Sequence, residues 1–230
     1  MYSAAVAEAR GHRVFEVGAL CATFVLFAIA VARLAPSIDS VGELLGLAAV
    51  IAIGYLVADF ATGVVHWLGD TVGDASWPVF GGAFIQPFRH HHVDPIDLTR
   101  HDFVELNGNN AIAGLPLLAL ATLYAPDAPY PCALVIAIVF FAMVTNQIHQ
   151  WAHAPAPPRW VRALQRARLI LSPEHHQRHH TAPFDRAYCI TTGWMNPVLD
   201  RLLVFRALER IIEWIHPRLI SAETAQRRAR

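Results

Sequence analysis

The chain is 230 residues long, which leaves room for one domain or one membrane bundle and little more. Hydrophobic residues make up 55% and charged residues 16%, and the mean hydropathy is positive, which argues against a soluble globule and for a membrane protein. The formal net charge of zero gives no bulk attraction for nucleic acid, and Cys21, Cys132 and Cys189 are too scattered for a disulfide framework or a thiolate metal site.

In chain order, a short polar start with Arg10, His12 and Arg13 leads into an apolar run over residues 14–34. It is long enough to cross ~30 Å of hydrocarbon. A signal peptide is the competing reading, but no small-residue cleavage site follows the run. A turn at residues 36–40 precedes a second apolar run over 41–68, with Asp59 and His66 in its second half. Residues 69–110 are rich in Asp, Gly, Pro and His and too polar for lipid. Asn107-Gly108-Asn109-Asn110 closes that segment with turn chemistry and a ready N-cap. Two shorter apolar runs, 111–124 and 132–150, flank the Pro-rich linker Ala125–Pro131 and read as a helical hairpin.

This makes an all-α, four-span transmembrane bundle within a single domain over 1–230, with a polar cap formed by 69–110 and 154–220. Arg10, Arg13, Arg89, Arg100 and every arginine after residue 153 fall on one side, and Arg33 alone on the other. By the positive-inside rule the cap faces the cytoplasm, at a bacterial inner membrane or the endoplasmic reticulum. Within the cap, residues 159–171 and 198–215 read as amphipathic helices for the bilayer surface or the cap itself, and the last ten residues as a frayed tail.

The cap carries the chemistry. Glu174-His175-His176-Gln177-Arg178-His179-His180 follows Ser172 and Pro173, an N-cap and first-turn pair. On a helix His175 would stack with His179, and His176 with His180. A solvated polar helix is the bland alternative, but partners lie elsewhere on the same side. They are His66; His91 and His92 beside His90; His101; and His149 with His153 at one-turn spacing. For His66 alone a buried bonded ring is the lesser alternative, and His101 beside Asp102 reads about equally as a local ion pair. Together these imidazoles are too many for one tetrahedral zinc and fit two metal ions in an all-imidazole set. Asp70, Asp102, Glu105, Glu174 and Asn146 are candidate acceptors for the outer N–H groups of such rings.

Several ordered stretches of 55–200 carry a resemblance. They are Ala58-Asp59-Phe60 with Gly63 and His66-Trp67; Pro87-Phe88-Arg89 leading into His91-His92; Thr99-Arg100-His101-Asp102-Phe103; and Asn146-Gln147-Ile148-His149 with His153. His175-His176, His179-His180 and Cys189-Ile190-Thr191-Thr192-Gly193-Trp194 complete the series. The sequence resembles the Kua-type lipid desaturases. His90 departs from the family, which carries an acidic residue there, and is the weakest ligand candidate of its triplet. The resemblance implies a non-haem di-iron enzyme that uses O₂ and electrons from cytochrome b5 or ferredoxin to place a double bond in a membrane phospholipid. Conversion of plasmanylethanolamine, an alkyl ether, to its vinyl ether is the expected reaction, with an acyl chain as the alternative substrate. Phe140, Phe141, Met143 and Trp67 are candidates to line a slot for the lipid chain, with lipid contact or core packing at least as good a reading for each, and the arginine-rich tail is a candidate surface for the carrier.

Three other readings compete. A di-iron hydroxylase would use similar histidines. A zinc hydrolase would want three ligands and a base, and no HExxH is present. A non-enzymatic metal-binding or transport protein would want polar residues through the middle of its spans, which these lack.

Overall fold

The computed structural model describes residues 2–221 and Thr224, with side chains from Gly11 onward. Among these residues the chain is helical, with one isolated β-bridge between Val72 and Ile220 as its sole extended pairing. The helices are α1 (Tyr2–Leu34), α2 (Val41–Thr71), α3 (Gln86–Val93), α4 (Phe103–Tyr124), α5 (Pro129–His153), α6 (Arg159–Arg166), α7 (Pro173–His176), α8 (Asn196–Arg201) and α9 (Val204–Ile215). Three stretches are long and apolar enough to cross a membrane: Gly11–Ser37, Val41–Thr71 and Pro129–His153. The fourth expected span, 111–124, is the second part of α4 and is not among them.

The chain divides into two compact units, one of residues 1–58 and 101–147 and the other of 59–100 and 148–230. In the first, α4 and α5 form an antiparallel hairpin. Asn146 bonds the Leu106 carbonyl, Asn110 reaches the Ala142 carbonyl, and a Cβ on Gly114 would stand 2.7 Å from Val139, so rising numbers on one helix meet falling numbers on the other. That close approach is why Gly114 carries no side chain. α1 packs on this pair through Ala30, Leu118, Ala121, Cys132, Ile136 and Val139, and lower down through Ala19, Leu20, Ala111 and Met143.

Two expectations are corrected here. α4 starts at Phe103 rather than after Asn110, because Asp102 and Glu105 form a capping box at its first turn. Asn107 and Asn110 stay helical because their amides find carbonyls, of Phe103 and of α5. Met143, 1% exposed, fills the core against α1 and α4, and Phe140 stacks edge-on against Phe27 and Phe141. Met143 is a packing residue, while Phe140 keeps 39% of its surface exposed.

In the second unit Trp67, Tyr188, Cys189, Leu199 and Phe205 form the core, and the Trp67 indole donates to the buried Glu209 carboxylate at 3.2 Å. Trp67 too is a core residue. The expected helix over 198–215 is broken into α8 and α9 at Leu203, whose φ of 53° ends one helix and turns the chain into the next. The expected helix over 159–171 stops at Arg166. The foreseen frayed tail lies outside the described residues except for Ser221 and Thr224, and Ser221 is docked, its N–H on the Thr71 carbonyl at 2.9 Å.

Candidate metal centre

Four segments of the second unit bring imidazoles together. His66 and Asp70 lie one turn apart at the end of α2, His149 and His153 one turn apart at the end of α5. His91 and His92 are neighbours on α3, and a helix turns ~100° per residue, so consecutive rings face different ways. The fourth segment starts as expected, with the Ser172 hydroxyl accepting from the His175 N–H. It stops early. α7 ends at His176 and the chain continues in turns through His180, with the His179 N–H on the His176 carbonyl.

Two groups result. His91, His149, His153, His176 and His180 form one, and His66, Asp70, His92 and His179 the other, with the donor atoms of each within 4.8 Å of one another. The groups adjoin: the rings of His92 and His180 are 5.0 Å apart, and those of His66 and His149 5.5 Å.

In the five-histidine group every contact is between Nε2 atoms. His149 to His176 is 2.8 Å, His180 to His176 and to His91 3.0 Å, and His153 to His91 3.1 Å. Metal–nitrogen bonds of ~2.1 Å place cis donors ~3.0 Å apart around a six-coordinate ion and ~3.4 Å apart around a tetrahedral one. The observed edges match the higher coordination number. Burial first, and the facing rings second, hold His91 and His176 well below the ordinary imidazole value and His180 down to about 2. These rings are neutral at pH 7 and offer lone pairs.

The second group makes a sharper test of fit. The Nδ1 of His179 meets the Arg186 carbonyl at 2.8 Å and the Nδ1 of His66 the Tyr188 carbonyl at 3.2 Å. A carbonyl only accepts, so each Nδ1 carries the proton and each Nε2 of the neutral ring carries a lone pair. Those lone pairs point at Oδ2 of Asp70, 3.2 Å from His179 and 3.5 Å from His66, with His92 at 3.0 Å. Acceptors facing one buried carboxylate oxygen repel, and one proton relieves one contact at a time. A cation among the four groups relieves all of them, so the residues fit a metal ion. The His66 Nε2 and the Asp70 Oδ1 have no hydrogen-bond partner, which agrees.

The remaining candidates lie outside both groups. His101 is half exposed and pairs with Glu105 at 3.2 Å. Asp102 caps α4 and binds Arg13 at 2.6 Å, and the guanidinium holds its carboxyl down to about 2. Asn146 ties α5 to α4, and Glu174 is exposed. His90 is exposed on the outer side of α3, 3.9 Å from Asp97. His175 parts from His179. The Asn196 side chain accepts from the Cys189 N–H and donates to the Cys189 carbonyl, which fixes its amide. It therefore donates to the His175 Nε2, at 3.1 Å, and occupies that ring's lone pair.

Asp70 stands inside a group, not behind one. Asp59 supports the site from further out: its Oδ1 accepts from the N–H groups of Thr191, Thr192 and Gly193 at 2.7–3.1 Å, and its Oδ2 from Met195. The loop so pinned carries Gly193 at φ 74°, where a Cβ would lie 2.8 Å from the His175 ring. A buried acid in an apolar helix was the available signal for Asp59.

A family model described as a lipid desaturase domain matches residues 55–218. The chain belongs to this lipid desaturase family. Among curated relatives it is 44% identical to plasmanylethanolamine desaturase of Myxococcus xanthus, over 88% of this chain and 72% of that protein. It is 44% identical to plasmanylethanolamine desaturase 1 of Mus musculus over 71% of this chain and 64% of that protein. It is 38% identical to the chloroplastic fatty acid desaturase 4 of Arabidopsis thaliana over 69% of this chain and 49% of that protein. No solved structure matches. The family match takes in every residue of both groups.

Proposed function

We propose that the chain is an O₂-dependent di-iron desaturase of a membrane lipid, converting plasmanylethanolamine to its vinyl ether. The observation that carries this reading is the pair of adjoining groups, five imidazoles in one and three imidazoles with a carboxylate in the other. Nitrogen and oxygen donors without thiolate suit iron, and the relatives named for ether-lipid desaturation supply the substrate class. When bound, the irons would supply O₂ activation and the oxidation of two adjacent carbons, with one O₂, two electrons and two protons consumed and two waters released.

The chain's own residues perform the rest. His91, His92, His149, His153, His176, His179, His180, His66 and Asp70 hold the ions. The carbonyls of Tyr188 and Arg186 fix the tautomer and plane of His66 and His179, so that their Nε2 atoms are presented without rearrangement. Tyr188, 1% exposed and edge-on to His179 at 5.0 Å, shields that ring from water.

The site also supports a fourth crossing. α2 and α5 both deliver their C-terminal turns to it, so if both cross the bilayer, residues 72–128 return the chain once, and α4 is the segment available. The placement of arginines supports a cytoplasmic side for the site. The whole chain acts as one desaturase domain. The plant relatives, named fatty acid desaturases, make an acyl chain the second reading for the substrate. The test is metal analysis of the purified protein with lipid profiling of expressing cells. About two irons per chain and acid-labile vinyl ethers support the first reading, two irons with a new acyl double bond the second, and a single zinc with no new lipid overturns both.

A further inference from the structure

We propose that a groove of about 750 Å³, lined by residues between Ala154 and Pro197, is the docking site of an acidic one-electron carrier protein. The inference rests on the carrier-dependent desaturase reading above and names where its electrons enter. Arg162, Arg166, Arg168 and Arg178 line the groove, all exposed, against one carboxylate, Glu174. Among the described residues none of the four guanidinium groups has an ion-pair partner. Unpaired like charges held side by side are unfavourable unless a partner of opposite sign covers them. Trp194 stands among them, 44% exposed, its indole N–H fixed on the Arg168 carbonyl at 2.7 Å. A rigid tryptophan ringed by arginine is the composition of a protein-binding hot spot.

The groove also reaches the site. His175 lines it, and the next residue, His176, belongs to the five-histidine group. The competing occupant is a phospholipid headgroup, which also carries negative charge. Every lining residue follows His153, where the last membrane-length helix ends, and four arginines stand in the walls among prolines, Ile170 and Trp194. Such a surface suits an aqueous protein partner better than a lipid with two hydrocarbon tails. Each docking passes one electron, oxidising the carrier by one unit, and two dockings supply the two electrons of a turnover. The arginine-rich tail lies outside the described residues, and this groove is a basic surface among them that includes the neighbour of a metal-group histidine.

The test uses the full chain in nanodiscs and reduced cytochrome b5 or ferredoxin as probe. Carrier affinity is measured on metal-free and metal-loaded protein, and KM for carrier and for lipid on the loaded form. Arg162→Glu with Arg166→Glu is compared with Arg201→Glu with Arg210→Glu, the same charge change on other exposed helices. The groove variant should weaken carrier binding at least tenfold in both forms and raise the carrier KM in step, with lipid KM unchanged. The control should stay within about twofold, and wild-type binding should weaken as salt is raised. Unchanged carrier affinity and KM in an active groove variant would overturn the assignment alone. A rise in lipid KM with carrier affinity intact would make the groove a headgroup site and overturn it likewise. If wild type neither binds nor uses any carrier, the desaturase reading falls and this proposal with it.

Discussion

The Nε2 of His179 stands 3.2 Å from Oδ2 of Asp70, both side chains fully buried, while the other nitrogen of the ring is committed to the Arg186 carbonyl. A lone pair aimed at a carboxylate in the interior fits a metal ion, because a cation between the two makes the contact favourable. Asp70→Asn keeps the shape and removes the charge. Bound iron should fall by about half or more and activity by ~100-fold, with helix content unchanged by circular dichroism. Full metal content in that variant would remove Asp70 from the site.

His149→Ala and His176→Ala should each abolish desaturation and lower bound iron while the protein still inserts in the membrane. His90→Ala should retain activity, since that ring is exposed on the outer side of α3. Metal analysis beside lipid profiling reads both.

His175→Gln separates a ring that lies near the centre from the rings that form it. Its Nε2 is held by Asn196, so the variant should keep its iron. Loss of a buried hydrogen bond costs about 1 kcal/mol, read as a small drop in melting temperature. Iron loss comparable to that of His176→Ala would make His175 a ligand.

Asp59→Ala leaves four backbone N–H groups of the 191–195 loop without their acceptor. A destabilisation of about 3–5 kcal/mol is expected. Asp59→Asn retains an acceptor oxygen and should fall between the two. Thermal unfolding of all three proteins in one detergent checks the order.

The metal-free protein should lose stability on acidification. In the folded state His91, His176 and His180 are depressed far below the ordinary value near 6.5, while in the unfolded chain they titrate there. Below pH ~6.5 the unfolded state binds more protons, so stability falls as pH falls, by up to about 1.4 kcal/mol per pH unit for each fully buried ring. Melting temperatures of the apo protein from pH 7.5 to 5 should decline steadily. A flat profile would mean that the rings do not converge in the apo state.

Local chemistry made much of this centre readable in the residues alone. Ser172 and Pro173 announce a helix start, and His149 with His153 share a face by spacing. What spacing could not supply was tertiary. A regular helix from Pro173 would have kept His175 with His179, but α7 ends at His176, and the Asn196 amide, 21 residues away, captures His175. Asp70 reads as an outer acceptor until the carbonyls of Tyr188 and Arg186, distant in sequence, fix the tautomers of the rings that meet it. Asn107 and Asn110 look like a turn because their helical partners include carbonyls on α5, which no local pattern reveals.

The placement of one carboxylate among nine donors makes the two halves of the centre unequal. A divalent ion among five neutral rings would keep its full formal charge, and one beside Asp70 would carry one unit less. The two seats would therefore fill in sequence rather than together, the Asp70 side first as metal is supplied and last to empty under a chelator. If the chain is the di-iron enzyme proposed above, a half-loaded form, metal-bound yet inactive, would be its expected state when iron is scarce.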